Sequence, residues 1–159
     1  MMYAAMKTLH VLSILIWVGG MLFAHAFLRP AAATLPDETR LRLMHDVLGR
    51  FFKVVTVVSV LALFTGYWMM GHVAKNIVQA GGSFASPLHW TVMAIVGTVM
   101  VLLYGHIRFA LYGKFGKALA ANDIPQATLY LGKTRQWVLV NLVLGLGLVA
   151  FTLLAPGWM

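Results

Sequence analysis

The stretch TLHVLSILIWVGGMLFAHAFL, residues 8–28, decides the fold. It holds no acid, lysine or arginine. As a helix rising 1.5 Å per residue it crosses about 30 Å, the thickness of a bilayer's hydrocarbon core. It is apolar around its whole circumference, so it offers no face to water. Its Ala24-His25-Ala26 end imitates the small-residue site of a signal peptide, but a histidine inside that site argues for a retained first span.

Three more segments read the same way, at about 54–70, 88–111 and 137–154. The expectation is an all-α integral membrane protein, a single domain over 1–159 built as a four-transmembrane-helix bundle. The connections are expected as a polar stretch 29–53, a Gly/Ser-rich turn 71–87 and a third polar stretch 112–136. Within the first, residues 41–46 could form an interfacial amphipathic turn.

Composition agrees. Hydrophobic residues make up 61% and charged residues 10% of the chain, against roughly a quarter charged in soluble domains. Mean hydropathy is +0.86. No cysteine is present, which excludes disulfides, thiolate metal sites and iron–sulfur clusters. The formal net charge of +8 fits lysines and arginines flanking membrane spans and does not call for nucleic acid as a partner. Loops one and three together carry Arg29, Arg40, Arg42, Arg50, Lys53, Arg108, Lys114, Lys117, Lys133 and Arg135; the opposite side has only Lys7 and Lys75. By the positive-inside rule both termini then lie on the outer, periplasmic side.

Six histidines in such a chain are its chief chemical signal, because an unpaired polar group in hydrocarbon is costly and is usually there for function. The topology puts His10, His72 and His89 toward the outer side, and His25, His45 and His106 toward the inner side. Within the first span His10 and His25 are fifteen residues apart, so they share a broad face about 22 Å long. Ser13, Trp17, Gly20 and Ala24 lie on or near it, and their mostly small side chains leave room for a flat cofactor or a packed helix.

A b-type haem in a bundle takes imidazoles from two facing helices at equal depth. The outer candidates are His10 with His89 or His72; the inner ones are His25 with His106 or His45. Trp17 joins this candidate set, since its mid-span position does not suit the interfacial aromatic belt of Trp68, Trp90, Tyr104, Tyr112, Trp137 and Trp158. Copper is the alternative: imidazole and thioether ligands from His10, Met69, Met70, His72 and His89 make a soft site for Cu(I). Against both stands a plainer reading in which interfacial histidines hydrogen-bond carbonyls or headgroups and methionines fill space. On that reading the chain is a cofactor-free accessory subunit whose glycines, Gly145 and Gly147 included, serve helix packing. No acid lies in a span, and neither a Ser-His-acid set nor a phosphate loop is present. Asn141 is the clearest uncharged polar residue of the fourth span. Among the cations, Arg29, Arg42, Arg50 and Arg108 could meet haem propionates or anionic lipid.

The sequence Lys7-Thr8-Leu9-His10-Val11 followed by Ile16-Trp17-Val18-Gly19-Gly20 resembles the first helix of the CopD/HemJ superfamily of small bacterial inner-membrane proteins. Leu88-His89-Trp90 and Tyr104-Gly105-His106 match its third helix, and the rest of the chain matches in layout. The resemblance implies two functions. HemJ-type proteins are haem-b-containing protoporphyrinogen oxidases, with His10 here in the place of the haem ligand; CopD-type proteins are associated with copper uptake or resistance. The chain departs from HemJ at Thr91, where those proteins carry a functional lysine. The resulting expectation is a haem-binding protein of electron transfer or oxidation in the bacterial inner membrane. Its small-molecule partner would be a quinone or a porphyrin, and homo-oligomerisation is left open.

Overall fold

The computed structural model describes residues 1–154, so Trp158 of the expected aromatic belt lies outside the described residues. Four helices, α1 (Met2–Ala32), α2 (Asp37–Gln79), α3 (Leu88–Ala120) and α4 (Ile124–Leu154), are each long and apolar enough to cross a membrane. No strand occurs among the described residues. The helices run up, down, up and down through short turns. Pro36 and Pro87 precede α2 and α3, each extended at the position before the helix, and Gly81 takes a left-handed φ of 82° in the second turn. The third turn uses Asn122 at φ 53°, and the Asp123 carboxylate accepts the Gln126 N–H to cap α4.

Two of the expected loops are in fact largely helix. α2 starts at Asp37 and runs 43 residues, about 65 Å, twice the hydrocarbon thickness. α3 continues to Ala120, and α4 begins at Ile124 well before the apolar run. The reason is amphipathic spacing that the polar composition masks. Leu41, Met44, Leu48, Phe52 and Val55 recur every three or four residues along α2 and are all buried. They meet Phe115 and Leu119 of α3, and Ala127 and Leu131 of α4, in one continuous core. The predicted turn at 41–46 is therefore the first part of a long helix.

Around the bundle α1 packs on α2, α2 on α3, α3 on α4 and α4 back on α1, with α2 and α4 also touching across the middle. Gly20 lets the Phe51 ring lie directly on the α1 backbone, where any Cβ would collide with it. Gly145 packs closely on Val18 and Met100, where a Cβ would stand 3.0 Å from each, as expected of a packing glycine; Gly147, grouped with it on the sequence, has nothing within 4 Å of such a Cβ. That leaves α1 and α3 diagonal, meeting through large side chains: the Trp17 and Tyr104 rings stand edge to face at 6.0 Å. Over the apolar segments the exterior is lined by Leu15, Phe27, Val60, Phe64, Leu102 and Phe109, all exposed. An apolar exterior of that extent needs a non-aqueous neighbour.

Candidate functional site

His10 is the one histidine among the described residues whose ring hydrogen-bonds a backbone carbonyl. Its Nδ1 lies 2.9 Å from the Ala62 carbonyl oxygen and 3.1 Å from Thr65 Oγ1 on α2. The Thr65 hydroxyl already donates to the Leu61 carbonyl at 2.6 Å, so toward the ring it acts as an acceptor. With two acceptors facing Nδ1, the proton sits on Nδ1 and the lone pair on Nε2 is left free. Gly66 makes room for this: a Cβ there would stand 3.2 Å from the His10 Cε1. Ser13, three residues on, is fully buried and returns its hydroxyl to the Leu9 carbonyl at 2.8 Å. A histidine held at Nδ1 by a carbonyl with Nε2 free is the arrangement that metal-binding imidazoles use.

The expected partners of His10 lie elsewhere. Tyr3 meets His72, their ring centroids 6.0 Å apart, so seven residues along each helix separate the His10 and His72 levels. The His72 ring stacks on Trp68 at 5.0 Å, and its Nε2 is 3.2 Å from the Asn76 amide nitrogen. His89 is on α3, diagonal to α1. Tyr67 bonds Thr98 at 2.9 Å, and His89 precedes Thr98 by nine residues, which sets it about 13 Å or more closer to the chain-terminal end than His10. His72 and His89 therefore share a level that His10 does not. Met70 is half-buried and its sulfur accepts the Ser86 hydroxyl at 3.9 Å; Met69 is half-buried beside it. Thr91 bonds Ser86 at 3.0 Å and closes the start of α3.

The other three histidines gather no common site. His25 sits in a π-helical stretch of α1, Ala24–Leu28, and lines a small cavity with Met44, Leu48 and Thr134. His106 opens a second such stretch in α3, His106–Leu111, and is exposed, edge-on to Trp137 at 5.8 Å. His25 and His106 are again on diagonal helices. His45 is half-buried, stacked on Tyr112 at 5.0 Å and packed edge-on to Phe115 at the edge of the core. Among the described residues no three His, Cys, Asp or Glu side chains cluster as a metal would require.

The centre of the bundle between the diagonal pairs is filled. Tyr104 donates to the Phe52 carbonyl at 2.5 Å and lies 2.6 Å from the Thr56 hydroxyl. Trp17 is 2% exposed against it, so it serves as core and does not flank an open slot. Asn141, 1% exposed, has no partner for its side-chain oxygen.

Sequence reading missed the π-helical stretches and the acceptor pair on α2. The second had a faint signal in Thr65-Gly66, a helix-packing glycine beside a hydroxyl. Comparison with protein-family models, with curated proteins and with solved structures finds no match.

Proposed function

We propose that this chain is a multi-pass protein of the bacterial inner membrane, with both termini outside, that binds b-type haem through Nε2 of His10 and works in electron transfer or oxidation. One observation carries the reading: the doubly accepted Nδ1–H of His10, which fixes the ring and presents Nε2. Donation from Nδ1 to a carbonyl also raises the basicity of Nε2 toward a metal. The residues present would hold the group through one imidazole, that of His10, without a His10–His89 pair. When bound, haem would supply reversible one-electron chemistry. The chain's own contribution is to hold the ligand ring in one tautomer and to keep water from it with apolar helix faces. The ten-to-two division of lysines and arginines supports the orientation. A quinone or porphyrin is the substrate class this reading favours.

The test is a reduced-minus-oxidised visible spectrum of detergent-purified protein expressed with ample haem, with metal analysis on the same sample. Haem gives sharp Soret and α bands that His10→Ala removes and Met69→Ala leaves intact. A colourless protein carrying stoichiometric copper, lost in Met69→Ala and Met70→Ala, would overturn the proposal in favour of copper handling. A colourless, metal-free protein would leave an accessory subunit.

A further inference from the structure

At the basic end of the bundle, Arg29 of α1, Arg40 of α2 and Arg135 of α4 line one cavity of about 260 Å³. They come from three helices and are close enough for the charges of Arg29 and Arg40 to repel that of Arg135. Like charges at this spacing destabilise the bundle unless an anion joins them. The protein's own acids answer only part of this. Asp37 pairs with Arg40 at 2.6 Å, whereas neither Arg29 nor Arg135 has an acidic partner among the described residues. The Arg135 Nε is buried with no hydrogen-bond acceptor.

A second orphan lies next door. Thr134 is 0% exposed, and its hydroxyl has no partner. Helical threonines ordinarily return that proton to the carbonyl four residues back, as Thr98 does to Ala94 and Thr152 to Leu148. Thr134 lines a smaller cavity that shares Arg29, Met44 and Arg135 with the larger one. An unsatisfied buried hydroxyl next to three guanidinium groups, one of which has its own buried Nε unpartnered, is costly alone and favourable around an oxyanion. Apart from Thr128, the remaining walls, Leu41, Met44 and Leu131 among them, are apolar.

We infer that this cavity is a binding site for a phosphate oxyanion, held by Arg29, Arg40 and Arg135 and supplied by an anionic phospholipid headgroup or by free phosphate. Planar guanidinium forks match phosphate oxygens two at a time, which a lysine cluster does not. The volume admits a phosphate with part of a glycerol, since a water's share of liquid is about 30 Å³. Of the other arginines of this end, Arg42 pairs with Glu38, and Arg108 lies over the Phe109 and Tyr112 rings. The inference does not rest on the haem reading, because Arg29 stands nineteen residues beyond His10, about 28 Å along α1.

The test is thermal unfolding of the whole purified protein in a neutral detergent at constant ionic strength, with inorganic phosphate or short-chain phosphatidylglycerol added and phosphatidylcholine as control. At about a hundred times its Kd, a ligand of this site raises Tm by about 5 °C or more. Arg29→Gln and Arg135→Gln abolish the rise, and Arg42→Gln keeps it. Protection by phosphate alone identifies a soluble anion as the source; protection by phosphatidylglycerol and not by phosphate identifies the headgroup. Should either variant fail to fold, the phosphate and phosphatidylglycerol titrations of the wild type and of Arg42→Gln still decide. No rise above the phosphatidylcholine control, or a rise unchanged in Arg29→Gln and Arg135→Gln, overturns the inference.

Discussion

The two ends of the α2 helix obey opposite rules. From Asp37 to Val55 its buried face is apolar and its exposed face carries Glu38, Arg42, Asp46 and Arg50. From Val57 to Thr65 the exposed face is Val57, Val60 and Phe64, and the buried face includes Ser59 and Thr65. Inversion of this kind is what two solvents impose. In water the burial of apolar area drives packing; beside hydrocarbon there is no such gain, and polar side chains turn inward to find partners. His45 and His10 show the consequence for chemistry. The first is a ring in an aromatic stack in the amphipathic part; the second is a ring pinned by hydrogen bonds in the apolar part.

Substitutions break or sharpen that contrast in a definite order. Phe115→Ala empties the centre of the amphipathic end, where the ring is 0% exposed, and should cost about 3–5 kcal/mol by unfolding in detergent. Val60→Asp puts a charge on the apolar exterior and should cost about 2.5–3.5 kcal/mol of insertion, read as loss from the membrane fraction. If Val60→Asp is harmless, that face does not meet lipid. Tyr104→Phe removes a donor to the Phe52 carbonyl and should lower stability by about 1 kcal/mol, with Thr56→Val adding less than additively because both act on one network. Arg42→Ala breaks an exposed pair with Glu38 and should change stability by about 0.5 kcal/mol or less. Gly66→Ala sharpens the comparison at the His10 site. By pushing on the ring it should weaken the haem binding proposed for His10 while leaving the unfolding temperature close to wild type.

The count of four long apolar helices was legible from residues 8–28 and their three counterparts, because about twenty apolar residues in a row have few other uses. The extensions were not. Leu41, Met44 and Leu48 look like scattered apolar residues among charges until Phe115 and Leu131 are known to face them. His10 was visible as a candidate from its depth alone, but its acceptors come from residues fifty-two and fifty-five positions away. The grouping of Arg29 with Arg40 and Arg135 was hidden for the same reason. Sequence order placed Arg42 and Arg50 in the same basic class, and helix phase separated them.

What the chain alone determined was composition against solvent: which segments must leave water, which end carries positive charge, and which residue types bring chemistry into an apolar place. These are local free energies of transfer, additive along the chain and indifferent to neighbours. What only the tertiary structure decided was adjacency. The order of helices around the bundle makes α1 and α3 diagonal, fills the space between them with Trp17 and Tyr104, and so separates His10 from His89. Helix order and phase depend on how four surfaces interlock at once, and no single segment encodes that.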